Sequence, residues 1–349
     1  MKEIDINQLK GDRNLRRKYQ ILKHLDETKA FERFCERVGA EVPEAETGKA
    51  FGMRSVWTSL AVAAVLIVLA VLSVKLFVNP ETTDSQVVVN IAPGKEQAFL
   101  TTASGKQVSL DESSSIVEEG MVASVVDGEL IVEDGDDTSM MNMISIPRGG
   151  EYRVTLPDGT RVHLNAESTL EFPSRFSREV RIVRLTGEAY FDVAKDSKSP
   201  FIVEVGTVSV KQYGTHYNIN AYNANHIEVT LVEGSIGVSA DGSEETKLTS
   251  GYQAVVTVNG IKVQKVDIHN VTGWNEGVFS FEGMTLEQIA VTLSRWYDTD
   301  FEVEEGLRRM HFSGSLMRDE NLGDILDAIC EITNTRYEYN HHTIKVTKK

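Results

Sequence analysis

The residues able to do acid–base, nucleophilic or metal chemistry do not assemble a recognisable centre in this chain. Its eight histidines are scattered. The adjacent pair His341-His342 reads as neighbours on a strand, pointing to opposite faces and unable to close on one ion, so both are taken as surface residues. Glu188 follows Gly187 in an alternating run, without a second carboxylate to make a glycosidase pair. No Ser stands in a Gly-x-Ser-x-Gly setting, and no glycine-rich phosphate loop follows a strand. The run Glu133-Asp134-Gly135-Asp136-Asp137 lacks the ligand spacing of a calcium loop and reads as solvated. The chain is therefore expected to be no enzyme and to need neither metal nor cofactor.

The elements that would carry any function are easier to read. From Val56 to Val74 nineteen residues pass without a charge. As a helix at about 1.5 Å per residue this run reaches roughly 28 Å, the thickness of a bilayer core. It begins too far in for a secretory signal peptide. The segment before it, through Ser55, holds twelve Lys and Arg against ten Asp and Glu, leaving 24 against 42 beyond it. Arg54 and Lys49 flank the run on the head side, so the positive-inside bias places the head in the cytoplasm and the body outside it. Trp57 and Phe77 are placed for the two interfaces. The acidic body excludes direct contact with nucleic acid there. Cys35 and Cys330 then fall on opposite sides of the bilayer and cannot pair, so the body relies on packing.

In the head, Leu15, Tyr19, Leu22 and Leu25 recur at helical spacing, with Phe31, Phe34 and Val38 continuing the stripe. Gly39, Pro43 and Gly48 end it. An apolar stripe on so small a unit needs a partner, which makes these residues candidates for docking on a cytoplasmic protein; the bland alternative is a solvated tail.

Past the polar spacer from Asn79 to Gln86 the period becomes two. Tyr152, Val154 and Leu156 alternate toward a turn at Pro157 to Thr160, and Val162 and Leu164 alternate back. The same pattern recurs at Ala189–Val193, Phe201–Val205, Tyr217–Ala221 and Ile227–Leu231. Gly206, Gly234, Asp241-Gly242 and Asn259-Gly260 punctuate the runs, which predicts an all-β sandwich or stack. Pro93 to Ile116 echoes Pro147 to Leu170 at an offset of 54, with Gly105 on Gly159 and Leu110 on Leu164, suggesting two related hairpin units.

The last seventy residues change again. Thr285 to Gln288 is a capping box opening a helix with Leu286, Ile289, Ala290, Leu293 and Trp296 inward. Asn321 caps a second, with Leu322, Ile325, Leu326, Ile329 and Ile332 expected to be buried. The two match at an offset of 36, predicting a duplicated α+β module with both helices on one sheet, closed by a hairpin around Asn340 to His342.

Several motifs follow one another as in the FecR family: Leu156-Pro157-Asp158-Gly159-Thr160, Leu164-Asn165-Ala166-Glu167-Ser168, Leu185-Thr186-Gly187-Glu188-Ala189-Tyr190-Phe191 and Tyr213-Gly214-Thr215-His216-Tyr217-Asn218-Ile219. Phe279 to Glu282, Leu293 to Tyr297 and Phe312 to Leu316 are similar to the C-terminal domain of members found beside glycan-import systems, itself like the secretin and TonB short N-terminal domain. The resemblance implies a single-pass anti-sigma factor of the Gram-negative inner membrane. Its expected parts are a helical sigma-binding segment at 1–48, a transmembrane helix at 56–76, an all-β periplasmic domain at 86–268 with its core at 145–240, and the α+β domain at 278–349. The implied partners are an extracytoplasmic-function sigma factor and the N-terminal extension of an outer-membrane TonB-dependent transducer, besides the lipid bilayer. It also implies self-cleavage at Gly214–Thr215, although the chain has Tyr217 where members carry Phe, and Gln212-Tyr213 where they carry a hydrophobe. Gly214 otherwise serves simply to bend the strand. The alternative function is a membrane-anchored periplasmic glycan-binding module.

Overall fold

In the computed structural model, which describes residues 89–110, 115–118, 121–135 and 140–349, the alternating runs become strands around one apolar core. The head candidates Leu15, Tyr19, Leu22 and Leu25 and the apolar run Val56–Val74 lie outside the described residues. Among the described residues no helix is long and apolar enough to cross a membrane, and the chain is mostly β.

One long strand, Arg181–Asp192, organises the body. Its first half pairs with Thr169–Pro173 and, in parallel, with Phe201–Val205. Its second half pairs with Arg161–Leu164 and His216–Asn223. The strand therefore belongs to two sheets, and it changes sheet at Gly187, where φ is 90°. A side chain at Gly187 would meet the Ser168 backbone at 2.7 Å, so only glycine lets the strand cross so closely. Phe172, Val183, Phe191, Phe201, Tyr217 and Ile219 fill the shared core, each fully buried, as the period of two requires. At one end the buried Arg181 donates to Asp158 Oδ2 at 2.7 Å, to Ala194 O at 3.0 Å and to Ser199 O at 2.9 and 3.2 Å.

The echo at an offset of 54 is visible in the backbone. The Thr102 N–H donates to Lys106 O and Gly105 N–H to Thr102 O, at 2.9 and 2.8 Å; Leu156, Thr160 and Gly159 repeat both bonds at 2.8 and 2.9 Å. Gly105 and Gly159 have φ of 84° and 83°. The related hairpins lie in opposite sheets, since Phe99–Thr101 borders Met141–Ser145 whereas Arg161–Leu164 borders the long strand's second half.

The C-terminal module has its own core. After a short helix α1 (Ile268–Thr272) come α2 (Leu286–Tyr297) and α3 (Leu322–Thr333), of equal length and 36 residues apart. Thr285 closes its capping box with Gln288, Asn321 caps α3 through the Gly323 N–H, and both helices end on a left-handed residue, Asp298 or Asn334.

Three expectations are corrected. The helices do not share one sheet: Val278–Thr285 pairs with His311–Met317, while Thr343–Lys348 sits between Asp300–Val303 and Thr335–Asn340 in a second sheet. The final strand thus bridges the two return strands instead of merely closing a hairpin. His341 and His342 are not on a strand; they form its two-residue turn, with φ of 46° and 71°, the left-handed pair such a hairpin demands. Ile332 is 69% exposed, because Cys330 and Thr333 take the buried positions of that last turn.

Before it enters the body, the chain passes through this module. Val89 is buried in the module's core, Leu322 N–H donates to Ile91 O at 3.0 Å, and Gly94 crosses the Trp296 ring so closely that a Cβ would come within 2.7 Å.

Candidate functional site

Residues from three of the motifs quoted for the family resemblance meet at one buried carboxylate. Glu188, just past the crossover glycine of the long strand, accepts from the side-chain amides of Asn165, Asn218 and Asn220 at 2.9, 3.0 and 3.3 Å. Ser168 fixes the backbone here, its Oγ accepting from Glu188 N–H at 2.9 Å. Burial pushes the Glu188 carboxyl up from the usual range, and the amides oppose that shift, as hydrogen bonds to a carboxylate should. Asn165, Glu188 and Asn218 come from three adjacent strands or their ends, so register alone brings them together.

The module reaches into this cluster. Arg318, one residue beyond the strand His311–Met317, is 3% exposed. Its Nη2 donates to Glu151 Oε2 at 3.0 Å and to Asn165 Oδ1 at 3.1 Å. Its guanidinium lies 3.8 Å from the Trp296 ring centroid, and Trp296 Nε1 donates to Arg318 O at 2.8 Å. Arg318 Nε has no hydrogen-bond partner among the described residues. Burial works against its charge while Glu151 and Glu188 support it. Burial likewise raises the Glu151 carboxyl, against the pull of Arg318 and Arg153.

Trp274 is the second anchor, donating through Nε1 to Asn218 Oδ1 at 3.1 Å. His163 packs 4.8 Å from its ring and meets Asn275 Oδ1 through Nδ1 at 2.6 Å. Burial, helped by Arg153, pushes His163 down to about 3, so it is a neutral imidazole whose Nδ1–H donates. At the rim Arg148 pairs with Asp300 at 2.8 Å and Asp298 at 3.3 Å. Arg295 pairs with Glu167 at 3.1 Å and lies 3.8 Å over the Tyr222 ring.

This is a seam between two cores, with arginine and tryptophan as anchors and a water-accessible ionic rim. It offers no nucleophile beside a base. Among the described residues no group of three His, Cys, Asp or Glu side chains is placed to hold a metal. Sequence reasoning singled out Glu188 as a lone carboxylate and placed Trp296 in the core, but missed Arg318 and Trp274 as partners of the body.

Gly214 and Thr215 lie elsewhere, on the link from Val208–Gln212 in one sheet to His216–Asn223 in the other. Gly214 has φ of 138°. The Gly214 N–H and the Thr215 hydroxyl both donate to Gln212 Oε1, at 2.6 and 3.2 Å, and Thr215 is 5% exposed. An amide oxygen holds that hydroxyl in place but is no general base.

Comparison with known proteins agrees with this division. The family model described as FecR protein matches residues 142–237, and that described as FecR, C-terminal, matches 278–346. Two crystal structures of a proposed anti-sigma factor from Parabacteroides distasonis ATCC 8503, at 1.65 and 2.50 Å resolution, are each 30% identical to this chain with a TM-score of 0.55. They cover 59% and 60% of this chain and 99% of their own. No curated protein matches.

Proposed function

This chain belongs to the FecR family, and from that premise we propose that it is an inner-membrane anti-sigma factor. The observation that carries the reading is the match, over 59% of this chain and 99% of the other, to a protein described as a proposed anti-sigma factor. Residues 1–48 bind an extracytoplasmic-function sigma factor in the cytoplasm through the stripe of Leu15, Tyr19, Leu22 and Leu25. Residues 56–76 span the bilayer, and domains at 86–268 and 278–349 stand in the periplasm. There the module receives the N-terminal extension of a TonB-dependent transducer, and the Arg318 seam couples it to the body.

Deleting residues 278–349 tests the reading. Sigma-dependent transcription should lose its response to inducer while the protein still reaches the membrane; a normal response would move reception to the body. Separately, the full chain should retain its sigma factor on co-purification, and Leu22→Asp with Leu25→Asp should release it. An unchanged yield would remove the stripe as the docking face.

The resemblance to family members that cleave themselves, rather than the geometry at Gly214, motivates one covalent proposal. The Thr215 hydroxyl adds to the Gly214 carbonyl carbon, and the Gly214–Thr215 amide bond breaks as the nitrogen takes up the hydroxyl proton. Water then hydrolyses the resulting ester to a Gly214 carboxyl and a free Thr215 hydroxyl. Intact mass of the purified chain and of Thr215→Ala decides: two fragments from the first and none from the second are expected.

A further inference from the structure

A shallow cavity of about 660 Å³ opens on the body, shares no lining residue with the seam, borders Gly214–Thr215 and is lined among others by Lys195, Lys211, Tyr213, Gly237, Glu245 and Lys247. Three lysines around one hollow are conspicuous in a chain of formal net charge −16. None of the three is in an ion pair among the described residues.

Their arrangement is set by strand register. Lys211 is directly opposite Gly237, and Gly237 directly opposite Lys247, so the three residues form a row on one face of neighbouring strands. Strand spacing puts the outer two backbones about 9.6 Å apart, and the glycine between them leaves bare backbone as the floor. Lys195 rims the hollow from the loop whose backbone packs on Gly214. Tyr213 is 48% exposed, with the Lys211 ammonium 5.9 Å from its ring centroid.

The floor is not empty. A side chain at Gly237 would collide with the Glu245 carboxyl group, which reaches over from the turn ahead of Thr246–Thr249. Nothing in the backbone requires glycine here, since the φ of Gly237 is not positive. What the glycine provides is room for a carboxyl group on the row of lysines, and the chain's own Glu245 lies there without pairing with either lysine.

We propose that the Lys211–Gly237–Lys247 trough is a binding site for a carboxylate-bearing ligand, which displaces the Glu245 side chain and pairs with the lysines that Glu245 leaves unpaired. Acidic sugars and acidic peptides present the same group; the tyrosine ring and three ammonium groups can receive either. The site does not depend on sigma-factor binding, although the Gly214–Thr215 bond lies in its lining.

Calorimetric titration of the full chain in detergent with trigalacturonate, triglutamate and maltotriose tests this. One of the two acidic probes is expected to bind, and the tighter one names the source. Lys211→Gln with Lys247→Gln should weaken that binding about tenfold, as loss of charge-assisted hydrogen bonds does. Glu245→Gln should tighten it about three- to fivefold, the scale of one exposed charge–charge interaction. Glu244→Gln, an equal change of charge beside the trough, should leave it unaltered. The proposal fails if maltotriose binds as well as the acids. It fails if Glu244→Gln matches Glu245→Gln, which would show diffuse attraction only. It fails too if neither acid binds the Glu245→Gln chain at millimolar concentration.

Discussion

Two buried arginines, both 3% exposed, do opposite things in this molecule. Arg181, inside the body, uses Nε and both terminal nitrogens on Asp158, Ala194 and Ser199, all within its own domain. Arg318, at the seam, joins residues 167 and 153 positions apart in sequence and leaves Nε without a partner. A fully satisfied buried cation fixes one arrangement, because each alternative leaves a charge or an acceptor stranded. A partly satisfied one stacked on tryptophan holds two bodies together with less to lose on separation. From this contrast the seam is expected to open at lower cost than the body core.

The largest expected effect breaks the body's side of the comparison. Arg181→Met strands Asp158 and should cost about 3–5 kcal/mol, read as a loss of urea midpoint for the whole body. Arg318→Met should cost less, about 2 kcal/mol, because the aliphatic stem still covers Trp296, an unpartnered N–H disappears, and Glu151 can take up water. Hydrogen exchange should show faster opening around Trp274 and Trp296 with the body core still protected. If the two variants proved equally costly to the body core, the distinction between core and seam would be lost.

Acid sharpens the comparison next. His163 titrates near 3 when folded and near 6.5 when unfolded, so the unfolded chain binds the extra proton across that interval. Its contribution is complete above that window and falls as pH drops through it, by about 1–2 kcal/mol from about pH 7 to about pH 5. The raised carboxyls of Glu188 and Glu151 act the other way, since the folded state holds their protons longer. Stability measured at the two pH values for the wild type and His163→Asn isolates the histidine; equal slopes would show that it is hydrated rather than sealed. The smallest effect belongs to Ile332, expected to be inward but exposed: Ile332→Ser should change stability by less than about 0.5 kcal/mol.

Local patterns were legible wherever one face of an element meets one core. Tyr152, Val154, Phe191, Val203 and Val229 alternate inward, and the stripe of α2 is buried as its spacing demands. The two hairpins and the two capped helices could be matched because their turn glycines and caps recur at fixed offsets. What depended on distant partners was not legible. Nothing near Thr343–Lys348 announces that it will separate two return strands. Ile332 follows the apolar spacing, yet Cys330 and Thr333 lie nearer the core. Glu188 looked solitary because its amide partners sit on neighbouring strands, and Arg318 is an unremarkable charge until Trp296 and Asn165 are placed beside it.

The stitch formed by Val89, Ile91 and Gly94 against the module has a mechanical consequence. Only fourteen residues separate Val89 from the apolar run, so the chain leaving that run is gripped by α3 and Trp296 before it reaches the first strand of the sandwich. A pull on the module would load this grip directly, placing the sandwich alongside the line of tension rather than within it. Traction applied to the module would therefore reach Val89 without travelling through some 170 residues of β structure.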